Sequence, residues 1–255
     1  MGNPMLEWGR SSVRQEMVAH VEEIRSLDAT VRRDSAIERQ NIQLLATDKE
    51  SDHYPSPHAI FFHESGSARE VFWVFERLRK GDSIPCNVES LLSLHRQIFS
   101  PYENAGVLSV QDNGVRVCDG GGSEHYVYHA APAEEKGCEL DWAFAAYNEA
   151  KAADPYLAPA YAVCLAELLV KIHPFEDGNG RTSRVMLVSE LRAAGLEHAA
   201  DIPFEGCHAK YRRLACCMLG KADGGRYSRA IDFWPYTRLI LDLVRLGYMK
   251  LPKKL

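Results

Sequence analysis

Apolar residues recur along most of the chain at the three- and four-residue spacing of a helix that buries one face. In the N-terminal region this pattern, which predicts a helix over residues 6–27, falls on Val13, Met17, Val21, Ile24 and Leu27. The same criterion predicts further helices over residues 68–80, 87–98, 133–153, 157–172, 179–194, 208–219 and 229–246. We therefore expect a mainly α-helical protein.

One stretch departs from the helical pattern. Residues 107–117 and 125–129 hold Val and Tyr in short alternating runs on either side of Gly120-Gly121-Gly122, which is typical of a β-hairpin. Strands do not alternate with helices as they would in a parallel sheet. The predicted fold class is thus mainly α with one β-hairpin.

Composition narrows the class of protein. The chain has 255 residues, of which 46% are hydrophobic and 25% charged, with a formal net charge of −5. These values are typical of a globular protein. The acidic balance argues against a protein that coats nucleic acid or an anionic membrane, so we expect neither partner.

Localisation signals point to the cytoplasm. The N-terminus lacks the apolar core of a secretory signal, and we find no run of 18 apolar residues that would predict a membrane-spanning helix. The chain has seven cysteines and no CxxC pair, a pattern that favours reduced thiols over a disulfide framework. We expect a cytoplasmic protein, or one injected into a host cytoplasm if it is a secreted effector.

The segment from Ile172 to Arg184 carries most of the candidate chemistry, and it joins two predicted helices. Gly178 and Gly180 allow backbone N–H groups to approach a ligand closely. A helix that begins about Asn179 offers a partial positive charge to an anion. Arg181 and Arg184 lie three residues apart on one side of that helix, and arginine forks match phosphate oxygens.

Two further groups in this segment suit phosphate chemistry. Asp177 is a hard oxygen ligand for Mg²⁺ carried by a polyphosphate. His173 titrates near neutrality and can take a proton from a hydroxyl. Each residue alone has an ordinary structural interpretation, because Gly-Asn-Gly turns and solvated arginine pairs are common. Their joint spacing favours a polyphosphate site with a general base.

The same residues are similar to the motif of a known family. His173-Pro-Phe-Glu-Asp-Gly-Asn-Gly-Arg-Thr-Ser-Arg184 agrees with the Fic motif HPFx(D/E)GNGRxxR at every specified position. The run from Val115 to Glu135 resembles the Fic flap, although Ser109 and Ala131-Pro132 replace residues that the family often has there. The resemblance implies a Fic-type helical bundle with one β-hairpin flap, and a protein adenylyltransferase that uses ATP and Mg²⁺.

The resemblance also implies roles for individual residues. His173 would be the general base, and Asn179 and Arg184 would complete the catalytic set. Asp177 would hold the metal. The nucleotide would be bound by six residues: Phe175, Gly178, Asn179, Gly180, Arg181 and Arg184. The substrate would be a Ser, Thr or Tyr hydroxyl of a target protein; self-modification and a homodimer are further expectations.

A second Fic motif, (S/T)xxxE(G/N), marks an inhibitory helix, and Asp34-Ser-Ala-Ile-Glu38-Arg39 resembles a degenerate copy of it. Asp34 replaces Ser or Thr, and Arg39 replaces Gly or Asn. The resemblance implies that Glu38 pairs with Arg184 and inhibits transfer, and that removal of AMP is a subsidiary activity. Residues 1–58 would then be an N-terminal helical segment, and residues 59–255 a Fic catalytic domain with C-terminal packing helices.

Two alternatives stay open at this point. The motif binds phosphates and not the base, so another nucleotide donor such as UTP, GTP or a nucleotide-linked choline is compatible with it. The chain could also be a nucleotide-binding regulatory or interaction module without transfer activity.

Overall fold

The computed structural model describes residues 3–8, 13–31, 67–100, 102–118, 124–202, 214–216, 218–219, 225–229, 232–251 and 253. This part of the chain is mainly helical, as the apolar periodicity predicted. The helices, numbered in chain order, are α1 (Pro4–Trp8), α2 (Arg14–Thr30), α3 (Ser67–Arg79), α4 (Val88–Ile98), α5 (Lys136–Ala153), α6 (Ala158–Ile172), α7 (Asn179–Ala193) and α8 (Trp234–Met249). Short 3₁₀ turns, Ala133–Glu135 and Pro155–Leu157, precede α5 and α6.

Helix α6 forms the centre of the core. Every residue of it except Val170 is buried, and it packs against α5, α7 and α8. A helix that is apolar on all sides needs such enclosure. The sequence was expected to hold no apolar run of membrane-spanning length. However, Pro155–Ile172 has a mean hydropathy of 1.4 over 18 residues, so by length and composition this segment could cross a membrane. Because 83% of this window is buried inside the protein, the enclosing helices account for its apolar composition.

The predicted hairpin is present, but its first strand is shorter than predicted. Strand β1 (Gly114–Cys118) pairs antiparallel with β2 (Glu124–His129), with a register shift between Val115 and Arg116. Residues 107–113 lie outside the sheet. Their polar groups bind elsewhere: the Ser109 amide donates to the Pro174 carbonyl at 2.7 Å, so this stretch lies against the loop after α6 instead of extending the ladder.

The N- and C-terminal helices share the same core. Helix α2 packs against α8 and buries Met17, Val21 and Ile24. The buried Asp28 carboxylate near the end of α2 accepts hydrogen bonds from the Glu197 and His198 amides at 3.1 and 2.8 Å. The predicted boundary at residue 58 stays a prediction, since residues 32–66 are outside the described ranges.

Helix α8 begins later than the pattern predicted, at Trp234 instead of Arg229. Pro235 occupies its first turn, where the missing N–H has no helical partner to lose. The Asp232 side chain accepts a hydrogen bond from the Trp234 amide at 3.1 Å and so fixes the helix start.

Candidate functional site

The motif segment forms the loop between α6 and α7, and it begins with a strained residue. His173 ends α6 with φ 53° and ψ 58°, the one positive φ of a non-glycine among the described residues. A left-handed residue commonly ends a helix, but glycine usually supplies it. A side chain there costs about 1–2 kcal/mol. Strain of this kind is concentrated at functional sites.

The hydrogen bond of His173 fixes its tautomer. Nδ1 lies 3.1 Å from the Val170 carbonyl oxygen, which can only accept, so Nδ1 carries the proton and Nε2 has a free lone pair. Burial lowers the pKa of His173, and the charge of Lys136 lowers the pKa further, against the opposing effects of the Val170 bond and Asp177. At neutral pH the ring is therefore a neutral base with Nε2 as its accepting atom.

A reciprocal pair of hydrogen bonds holds the loop closed. The Phe175 amide donates to Asn179 Oδ1 at 2.8 Å, and Asn179 Nδ2 donates to the Phe175 carbonyl at 2.8 Å. Phe175 is buried and anchors the loop in the core. The Asn179 side chain is thus committed to the loop backbone, and its direct contact with phosphate stays a prediction.

The two glycines give this loop its close contacts. Gly178 precedes α7 with φ 79°, and a Cβ there would lie 2.2 Å from Phe99 Cζ. At Gly180 a Cβ would lie 3.0 Å from Arg184 Nη1. The Arg184 guanidinium therefore lies over the first turn of α7, where the helix N-terminus already favours an anion.

Arg181 and Asp177 form an ion pair across the loop. Arg181 Nη2 lies 2.7 Å from Asp177 Oδ2, and the Arg181 guanidinium lies over the Phe99 ring, 4.4 Å from its centroid. The Asp177 side chain is 75% exposed, whereas the Arg181 side chain is 13% exposed. The carboxylate is accessible to an incoming ligand, and the arginine is held in place by the aromatic ring beneath it.

The oxygen donors at this loop suit a metal ion that is held mainly by the phosphates of a bound nucleotide. Within the described ranges, no group of three or more His, Cys, Asp or Glu side chains could hold a metal ion. Mg²⁺ does not need one, because it typically keeps several waters and takes one or two carboxylates plus substrate phosphates. The exposed Asp177 supplies such a carboxylate.

Several supporting residues were missed by the sequence reasoning. Lys136 is fully buried and donates to the Gln111 carbonyl and to Asn113 Oδ1 at 3.0 and 3.1 Å. Asn113 Nδ2 in turn donates to the Phe175 carbonyl at 3.0 Å. From α4, His95 reaches the same loop. The sequence could have indicated a buried role for His95, because this residue shares the apolar face of α4 with Leu91, Leu94 and Ile98.

The proposed inhibitory residue Glu38 lies outside the described residues. Its pairing with Arg184 stays a prediction.

Residues 85–191 match the model of the Fic/DOC family. No curated protein matches the chain.

Solved structures share the fold at low identity. A Fic family protein from Desulfovibrio desulfuricans G20 is 18% identical with a TM-score of 0.63, over 94% of this chain and 74% of the other. A Fic domain containing signaling protein from Bacteroides thetaiotaomicron is 16% identical with a TM-score of 0.55, over 91% and 94%. The BepC protein from Bartonella tribocorum with bound AMPPNP is 16% identical with a TM-score of 0.51, over 73% and 85%. These likenesses establish the Fic fold and the predicted fold class.

Proposed function

Through residues 85–191 this chain belongs to the Fic/DOC family, and on that premise we propose that it is a protein adenylyltransferase, which moves AMP from ATP to a Ser, Thr or Tyr hydroxyl of a target protein. One observation carries the proposal. His173 begins the motif loop with its Nε2 unprotonated. The loop ends at the N-terminus of α7, and the first two turns of that helix carry Arg181 and Arg184.

The proposed reaction uses each of these groups at one step. His173 Nε2 takes the proton of the target hydroxyl, and the oxygen attacks the α-phosphorus of ATP. The bond from that phosphorus to the bridging oxygen of the β-phosphate breaks, and pyrophosphate leaves. A new phosphoester joins AMP to the target, and the proton stays on His173 until solvent removes it.

Charge on the phosphates is met by preorganised groups. The N-terminus of α7 and the two arginines would bind the oxygens that gain charge as the bond to pyrophosphate breaks. Bound Mg²⁺ would neutralise phosphate charge, and Asp177 would hold it. Binding would exchange the present ion pair for new ones: Arg181, in its place over the Phe99 ring, would pair with a phosphate, and Asp177 would be released to the metal.

The choice of ATP as donor is supported by a solved structure of the same fold. BepC, which shares the fold, binds the ATP analogue AMPPNP, and this favours ATP here. Incubation with labelled ATP, GTP or UTP and Mg²⁺ in a lysate compares the donors. We expect label from ATP on a target protein or on the chain itself, and none with His173→Ala.

The alternatives predict other patterns. Label from GTP or UTP but not from ATP would replace the donor. Nucleotide binding without label from any donor would indicate a regulatory module instead of an enzyme. Label that survives His173→Ala would contradict the assigned base.

We propose further that Glu38 restrains the reaction. The support is the sequence alone: Ser-Ala-Ile-Glu38 resembles inhibitory Fic segments, and Arg184 is the partner that the resemblance implies. A glutamate there would occupy the guanidinium that the nucleotide needs.

A further inference from the structure

We propose that His95 is a positioning residue, which uses both ring nitrogens to hold the backbone of Asp177 where its carboxylate can receive the metal of the nucleotide. The inference rests on the proposed function, since it concerns the metal–nucleotide site of that reaction. It adds a residue from α4, outside the motif, to the machinery of the site.

The hydrogen bonds of His95 assign its tautomer without ambiguity. The Gly106 amide lies 2.8 Å from Nδ1, and an N–H can only donate, so Nδ1 is the acceptor. Nε2 lies 3.0 Å from the Asp177 carbonyl oxygen, which can only accept, so Nε2 carries the proton. Both ring nitrogens are used, and the side chain is 5% exposed. The ring connects the segment after α4 to the motif loop.

Two stacked aromatic rings hold the imidazole of His95 in position. The Phe175 ring stacks on His95 with centroids 3.7 Å apart and planes at 15°, and the Phe99 ring stacks with centroids 4.5 Å apart and planes at 25°. Phe99 in turn supports the Arg181 guanidinium. His95 thus stacks on Phe175, which anchors the loop, and on Phe99, which lies under Arg181.

These contacts hold Asp177 at two points. Its carbonyl accepts from His95, and its carboxylate pairs with Arg181. When Arg181 pairs with a phosphate instead of Asp177, the hydrogen bond from His95 is left to hold the backbone at Asp177. Residues that orient a metal ligand in this way typically contribute 10–100-fold to metal affinity or activity.

Three substitutions separate the functions of the ring. His95→Phe keeps a planar ring for stacking and leaves both the Gly106 amide and the Asp177 carbonyl without their partner. His95→Gln can still donate from a position close to that of Nε2, whereas His95→Asn can still accept close to that of Nδ1. The Asp177 carbonyl belongs to the metal site, so only His95→Gln should restore the hydrogen bond that this site needs.

The measurement is the affinity for a non-hydrolysable ATP analogue, by calorimetry, with and without Mg²⁺. The gain in affinity from Mg²⁺ reports on Asp177, because metal-free binding does not use it as a ligand. We expect His95→Phe and His95→Asn to reduce this gain about 10–100-fold, with little change in metal-free affinity. His95→Gln should recover most of the gain.

A matched control comes from His198, in the segment that follows the C-terminal end of α7. His198 is also 5% exposed, and its Nδ1 pairs with Asp201 at 3.0 Å. His198→Gln should lower the thermal stability and leave the Mg²⁺-dependent gain unchanged.

The outcomes distinguish the two proposals. An equal gain from Mg²⁺ in wild type, His95→Phe and His95→Asn would overturn the role of His95. Equal losses in Gln and Asn would also overturn it, because they would show a general packing role. If His95→Phe does not fold, the comparison of Gln with Asn still decides. Failure of the wild-type chain to bind the analogue at all would instead refute the proposed function.

Discussion

The contact between Gly178 and Phe99 makes a quantitative prediction for Gly178→Ala. Gly178 has φ 79°, and a Cβ there would lie 2.2 and 2.3 Å from two carbons of the Phe99 ring. Real Cβ atoms do not approach so closely, so the ring or the loop must move. Phe99 stacks on His95 and lies under Arg181, and the displacement would therefore reach the nucleotide site.

Two physical effects contribute to the loss of stability. A side chain in left-handed backbone costs about 1–2 kcal/mol, and overpacking a well-packed site costs about 1–3 kcal/mol. The sum is about 2–5 kcal/mol of unfolding free energy, measured by urea denaturation. We expect the affinity for an ATP analogue with Mg²⁺ to fall as well.

Two controls separate these effects. Gly81 has φ 102°, and nothing lies within 4 Å of its Cβ position, so Gly81→Ala should show the backbone contribution alone. In a Phe99→Ala background the clash is absent, and the additional effect of Gly178→Ala should fall to about 1–2 kcal/mol. If Gly178→Ala loses no more stability than Gly81→Ala, the packing of Phe99 against the loop is refuted.

Three further predictions concern charged groups. Asp177→Asn removes an ion pair whose carboxylate is 75% exposed, and exposed pairs are worth about 0–1 kcal/mol, so the unfolding free energy should barely change, whereas calorimetry should show that the Mg²⁺-dependent gain in nucleotide affinity is lost. Glu38→Gly should raise self-labelling with ATP; equal labelling of wild type and variant over a range of ATP concentrations would refute the inhibitory role. Glu139→Gln should lower the unfolding free energy at pH 7 by about 1–3 kcal/mol, and urea melts should show that this difference disappears in acid.

The environment of Glu139 determines how its contribution to stability depends on pH. Burial alone would raise the pKa of Glu139, but hydrogen bonds from Arg229 and Tyr227, with the charge of Arg229, lower it below its ordinary value. The carboxylate therefore adds stability at pH values above the pKa that Glu139 has in the unfolded chain. This stability is lost as the pH falls through the lower pKa that Glu139 has in the folded protein. A difference from Glu139→Gln that grows in acid would contradict the sign.

The helices were predictable because local pattern decides them. The predicted segments 68–80 and 87–98 match α3 and α4 to within one residue. Asn87 explains one boundary, since its side chain caps α4 by accepting a hydrogen bond from the Ser90 amide at 2.8 Å. The motif loop was also predictable, because its glycines, arginines and histidine lie close together in sequence.

Long-range contacts were not predictable in the same way. Residues 107–113 hold β-forming side chains, yet the bond from the Ser109 amide to Pro174 joins them to a loop 65 residues away in the chain, and no local pattern shows that partner. His95 likewise binds Asp177 across 82 residues. A polar residue on an apolar helix face signals a buried contact, but it does not identify the partner.

The proposed transfer of AMP is tested by the intact mass of the protein and of candidate targets after incubation with ATP and Mg²⁺. We expect a mass increase equal to AMP minus water on a Ser, Thr or Tyr, present with the wild-type chain and absent with His173→Ala. No mass increase from ATP with wild type or Glu38→Gly, or an equal increase with His173→Ala, would contradict it.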